Sequence, residues 1–141
     1  MTVREFLEQA HRLDNRINSD ITQVSELREI CFGISSPVLG DKVQGSRSAN
    51  ASFVVSLEKI MDAEKSIDDE IDRFIELKTQ IKQTIDSVEN INTRMVLYYR
   101  YVHDKTWKQI ADELHVGNAT VHRWHREALA AAILPDNPII I

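Results

Sequence analysis

Residues 106–128, TWKQIADELHVGNATVHRWHREA, hold two short amphipathic patterns on either side of the turn HVGN at 115–118. Ile110, Ala111 and Leu114 recur at helical spacing in the first pattern, and Val121, with Trp124 or Ala128, in the second. Val116 lies between them as a plug for the turn. Two helices that cross steeply over so short a connection need a small residue where they touch and apolar residues on their inward faces. The segment supplies both, so it predicts a helix-turn-helix. Immediately upstream, TRMVLYYRYV at 93–102 is a third short helical piece. Together the three predict a compact trihelical unit over 91–134, followed by an apolar tail at 135–141.

The N-terminal part has a different rhythm. Val3, Phe6, Ala10, Leu13, Ile17, Asp20, Val24, Leu27 and Cys31 alternate in spacings of three and four, a heptad stripe uninterrupted by Gly or Pro before Gly33. Thr2 and Glu5 form a capping box at its start. GISSPVLGDKVQGSRSANAS then concentrates Gly, Ser, Pro and Asn and reads as a connecting loop over about 33–52. A second stripe follows in Leu57, Ile60, Glu64, Ile67, Ile71, Phe74, Lys78, Ile81, Ile85 and Val88. Two stripes of matching length predict a long antiparallel helical hairpin, a coiled coil over 1–90, with helices about 40 Å long at 1.5 Å per residue. The expected fold class is therefore all-α. Asp20, Glu64 and Lys78 interrupt the stripes; such residues either fix register or lie at the rim of the seam. Leu7, Ile21, Ile30, Met61, Ile75 and Leu77 flank the stripes and exceed what one hairpin seam buries, which predicts a homodimer or higher homo-oligomer assembled through residues 1–88.

Composition narrows the function classes. The 141 residues are 43% hydrophobic and 28% charged, a folded rather than a disordered balance. No apolar run reaches membrane length and the N-terminus lacks a signal-peptide core, so a cytoplasmic location is expected. Cys31 is the sole cysteine, which excludes an intramolecular disulfide and a cysteine-based zinc site within one chain. The net charge of −5 is uneven: residues 1–92 hold eleven Lys/Arg against seventeen Asp/Glu, whereas 93–134 hold six against four. The sequence has no glycine-rich phosphate loop and no nucleophile with a convergent base, so no enzyme is expected. His103, His115, His122 and His125 invite a metal, and His122 and His125 share a helix face. Without Cys or a His-Glu-x-x-His arrangement the expectation is no metal and no cofactor. Trp107, Trp124, Tyr98, Tyr99 and Tyr101 sit at helical spacing and read as core rather than as base-stacking platforms.

QIADELHVGNATV at 109–121 resembles the E-I-A-x-x-L-G-V-S-x-x-T-V motif of the fourth conserved region of bacterial sigma factors. RMVLYYRYVHDKTW at 94–107 resembles that region's first helix and its connection, with Arg100 and Tyr101 in the R-Y position. The whole layout, an acidic coiled-coil half, a VQGSR-containing loop and a Trp-containing C-terminal unit, is similar to small phage and prophage transcriptional regulators of the RinA and ArpU type. The chain departs from the sigma pattern at His115, where Gly is usual, and at Gly117, where an N-cap Ser is usual. A left-handed conformation costs His more than Gly, and Asn118 offers an alternative cap.

The resemblance implies a sequence-specific regulator acting at promoter DNA through contact with double-stranded DNA and RNA polymerase. The second helix of the motif would enter the major groove with its N-terminal side chains nearest the base edges. That makes Asn118, Thr120, His122 and Arg123 the base-reading set, with Arg123 suited to guanine and Asn118 to adenine. Lys105, Thr106, Lys108, His125 and Arg126 form the phosphate-contacting set. The competing readings are that Arg123 and Arg126 are ordinary solvated residues, and that the chain is a helical adaptor docking a protein such as RNA polymerase without reading DNA.

Overall fold

The structure, a computed structural model, describes the backbone of residues 1–40 and 47–141 and the side chains of residues 1–31 and 54–141. Every regular element among the described residues is helical, so the protein is all-α. The order is α1 (Val3–Glu8), α2 (Leu13–Gly40), α3 (Arg47–Asp86), α4 (Ile91–Leu97), a π-helical segment (Tyr98–Val102), α5 (Trp107–Leu114) and α6 (Asn118–Ala131). None of the described helices is long and apolar enough to cross a membrane.

α1 begins at the expected capping box: Glu5 N donates to Thr2 Oγ1 and Thr2 N to Glu5 Oε2. It ends after two turns, so the first stripe does not form one continuous helix. The break centres on Arg12, whose φ of 62° lies in the left-handed region at a cost of about 1–2 kcal/mol. Beside it the His11 Nδ1 lies 2.6 Å from Asp104 Oδ1, and Asp104 is itself left-handed with φ 52°. The break lets both Phe6 and Leu7 be fully buried, which a straight heptad stripe does not permit for adjacent residues. Burial of each is worth about 1.5–3 kcal/mol and outweighs the local strain.

The loop expected over 33–52 is shorter than its composition implies. The α2 backbone runs on to Gly40 and the α3 backbone starts at Arg47, leaving 41–46, where the rest of that loop was expected, outside the described residues. Ser and Gly each cost a helix no more than about 1 kcal/mol, whereas Pro37, also within α2, costs about 3 kcal/mol by removing a backbone donor.

The chain divides into two compact units at different points from those the sequence pattern marks. Residues 16–73 make one; residues 1–15 together with 74–141 make the other, so the trihelical segment shares its unit with α1 and the end of α3. In the 16–73 unit α2 and α3 run antiparallel, as the ion pairs Arg16–Glu70 (3.7 Å) and Arg28–Glu64 (2.8 Å) require. Ile17, Asp20 and Val24 are its buried stripe positions. The stripes' polar exceptions separate, Asp20 and Glu64 lying in this unit and Lys78 in the other. Glu64 pairs with Arg28 and Lys78 with Asp14 at 2.6 Å, both at the rim, whereas Asp20 is buried with Oδ2 unpaired.

In the other unit Leu7, Leu77, Ile81, Ile85, Val88, Val96 and Leu97 are buried. Leu7 and Leu77, expected to stay uncovered beside the seam, are thus consumed by this core. Ile21, Ile30, Met61 and Ile75 remain about half exposed or more.

Candidate nucleic-acid interface

α5 starts at a capping box. Gln109 N donates to Thr106 Oγ1 at 3.2 Å and Thr106 N to Gln109 Oε1 at 2.9 Å. It ends at His115, which is left-handed as anticipated (φ 54°, ψ 44°), with its N–H on the carbonyls of Ala111 and Asp112. α6 begins one residue after Gly117, which occupies the N-cap position without a side-chain bond. Asn118 is therefore the first helical residue and does not cap. Val96, Ile110, Ala111 and Val121 form the buried centre, with Tyr99, Trp107, Leu114, Val116 and Trp124 packed against it. Replacing His115 by Gly is expected to stabilise this unit by about 1 kcal/mol, because the left-handed penalty disappears. Urea unfolding checks it, and a clear loss of stability would show that the exposed His side chain holds the turn.

This core gives α6 two faces. Val121, His125 and Ala128 are buried, whereas Asn118, Ala119, His122, Arg123, Arg126 and Glu127 are exposed. Asn118, His122 and Arg126 thus form one row at four-residue spacing, with Arg123 beside it. Arg123 Nε lies 3.8 Å from Glu127 Oε1, an exposed and loose pair. The His122 ring rests 4.7 Å from the Trp107 ring, which limits its freedom to reach outward. Thr120 is only half-exposed and stands to one side of the row. Ala119, absent from the sequence-derived set, lies on the exposed face; its spacing of four from Arg123 was the available signal.

The phosphate-contacting set divides. Lys108 and Arg126 are exposed and enter none of the ion pairs among the described residues. Lys105 is engaged, 2.9 Å from Glu113 Oε1 and above the Tyr99 ring. The Thr106 hydroxyl serves as the cap of α5.

His125 must be withdrawn from the set. It is 6% exposed, shares a 2.8 Å hydrogen bond with the Tyr101 hydroxyl and meets the Trp107 ring edge-on. Burial, aided by the positive charges of Arg4, Arg100, His122 and Arg126, pushes its pKa down to about 4. A neutral, buried imidazole makes no phosphate contact; it packs. Its place at i+4 from Val121 and three before Ala128 marks it as an inward position.

Behind this face lies a continuous aromatic stack. The Arg100 guanidinium sits 4.4 Å from the Trp107 ring centroid and donates to the Lys105 carbonyl. The π-helical turn rotates Tyr101 fully inward towards His125 while Tyr98, whose hydroxyl donates to Asp86, stays half-buried. Such turns are frequent at functional sites. Here it locks the first helix of the trihelical segment to the back of α6.

No curated protein and no solved structure matches the chain. A family model described as "Protein of unknown function (DUF722)" matches residues 12–131, which takes in α2 through α6, and the chain belongs to that family.

Proposed function

We propose that the protein is a sequence-specific, double-stranded-DNA-binding transcriptional regulator of the phage or prophage kind, acting in the cytoplasm without enzymatic activity. The observation that carries this reading is the exposed face of α6, where Asn118, His122, Arg123 and Arg126 are grouped beside the turn that follows α5. Donors and cations on a helix whose opposite face is locked into a core suit major-groove reading. Lys108, exposed in the first turn of α5, suits a flanking phosphate. Selection of bound sequences from random duplexes tests the reading directly. Recovery of no preferred sequence, together with a complex formed with RNA polymerase, would favour the protein-docking adaptor instead.

Lys108→Ala is expected to weaken binding to all sequences about equally and to lower the slope of log affinity against log salt by about one. Titrations at several salt concentrations measure it. A changed base preference would mean that α5, not α6, lies against the base edges.

A single helix-turn-helix reads few base pairs, and pairing on two half-sites is the usual remedy. The 16–73 unit exposes the apolar side chains Ile21, Ile30 and Met61, which a second copy would help to cover. Light scattering on the full chain is expected to give a dimer, and Ile21→Glu with Met61→Glu a monomer of unchanged helicity. A wild-type monomer at micromolar concentration would refute the assembly.

A further inference from the structure

The segment that follows α6 has no regular structure of its own, yet its backbone is satisfied by side chains. Ile133 N donates to Ser87 Oγ at 2.9 Å. Further along, Gln80 uses both ends of its carboxamide: Nε2 donates to the Asn137 carbonyl at 3.0 Å, and Oε1 accepts from Ile139 N at 2.9 Å. Gln9 repeats the arrangement one step on, with Nε2 donating to the Ile139 carbonyl and Oε1 accepting from Ile141 N, both at 2.9 Å.

The groups so engaged belong to residues 137, 139 and 141, alternate positions that share one edge of an extended chain. A carboxamide carries the same donor and acceptor as a peptide group. Two glutamines from different helical elements, one just beyond α1 and one in α3, therefore stand in for the neighbouring strand of a ladder. Pro138, which has no N–H to give, falls at a position that this edge does not use. What is recognised is backbone, as when a peptide adds to a sheet edge.

We propose that Gln9 and Gln80 form a backbone-reading peptide site whose occupant is the chain's own segment 137–141, held as a releasable latch. Releasability follows from the nature of the hold. Its polar part consists of hydrogen bonds of modest net worth, and of the segment's apolar side chains Pro138 and Ile139 are only half-buried while Ile140 and Ile141 are 56% and 39% exposed. The latch ties the continuation of α6 to α1 and α3 within their shared unit. This inference does not depend on the DNA-binding reading.

The test is amide hydrogen exchange on the full chain, followed residue by residue by NMR. Ile139 and Ile141 are expected to be protected. Gln9→Ala with Gln80→Ala should speed exchange at both by about tenfold or more, while Val121 and Ala128 keep their protection. Adding excess unlabelled peptide of residues 135–141 to the wild-type chain should displace the latch and likewise expose both amides. The same peptide N-methylated at Ile139 should not, because it lacks the hydrogen that Gln80 accepts. Unchanged exchange in the double variant, or equal displacement by the methylated peptide, would overturn the proposal.

Discussion

Between pH 7 and pH 4 the unit formed by residues 1–15 and 74–141 is expected to lose about 3 kcal/mol of stability through His125 alone. The folded pKa of about 4 lies below the ordinary 6.5, because burial first, and then the charges of Arg4 on α1, Arg100 on the π-helical turn, and His122 and Arg126 on α6, oppose the imidazolium. The sign follows. Above pH 6.5 the ring is neutral in both states and the contribution is complete; as pH falls towards 4 the unfolded chain takes up a proton that the folded one refuses. His125→Gln removes this titration while keeping a polar group for the Tyr101 hydroxyl, 2.8 Å from Nε2 in the wild type. Urea unfolding of both proteins, followed by the fluorescence of Trp107 and Trp124, reports on this unit. The wild type should lose stability relative to the variant progressively below pH 6.5. Parallel pH profiles would show that His125 is accessible to protons in the folded state, and would return it to the surface set.

The divergent behaviour of individual residues shows what was legible in the sequence. The inward faces of α5 and α6 follow from Ile110, Ala111, Leu114 and Val121, because burial repeats with the helical period and neighbours in sequence report it. The break at Arg12 was hidden. No Gly or Pro marks it, and what sustains it, the burial of Phe6 with Leu7 and the His11–Asp104 pair, joins residues far apart in sequence. The same holds for the π-helical turn and for Gln9 and Gln80, polar residues whose partners are tail backbone atoms and leave no periodic trace. His125 was misassigned for another reason. Its spacing pointed inward, but its chemistry invited an outward role, and the hydroxyl that satisfies it comes from Tyr101, 24 residues away. Of the candidate site, the row Asn118, His122, Arg126 with Arg123 was thus readable, whereas the engagement of Lys105 and Thr106 needed three-dimensional contacts.

Arg123→Ala is expected to reduce affinity for the preferred duplex by about 1–3 kcal/mol and to relax preference at one base position. A guanidinium offers two parallel donors to guanine O6 and N7, and of the two arginines on this face of α6, Arg123 lies nearer the N-terminal end, where a recognition helix meets the base edges. In the free protein the ion-pair partner of Arg123 among the described residues is Glu127 at 3.8 Å, with both side chains more than half exposed. Pairs of that kind contribute little, so exchanging Glu127 for a base edge costs the protein almost nothing. Two controls separate base reading from simple charge. Arg123→Lys keeps the charge but loses the fork, so it should retain the salt dependence while losing discrimination at the same position. Glu127→Ala removes the competitor and should leave base preference intact. Binding curves against the selected site and its single-base variants supply the measurement. If Arg123→Ala and Arg123→Lys both keep wild-type discrimination at every position, Arg123 is a solvated residue on an exposed helix, and reading falls to Asn118 and His122.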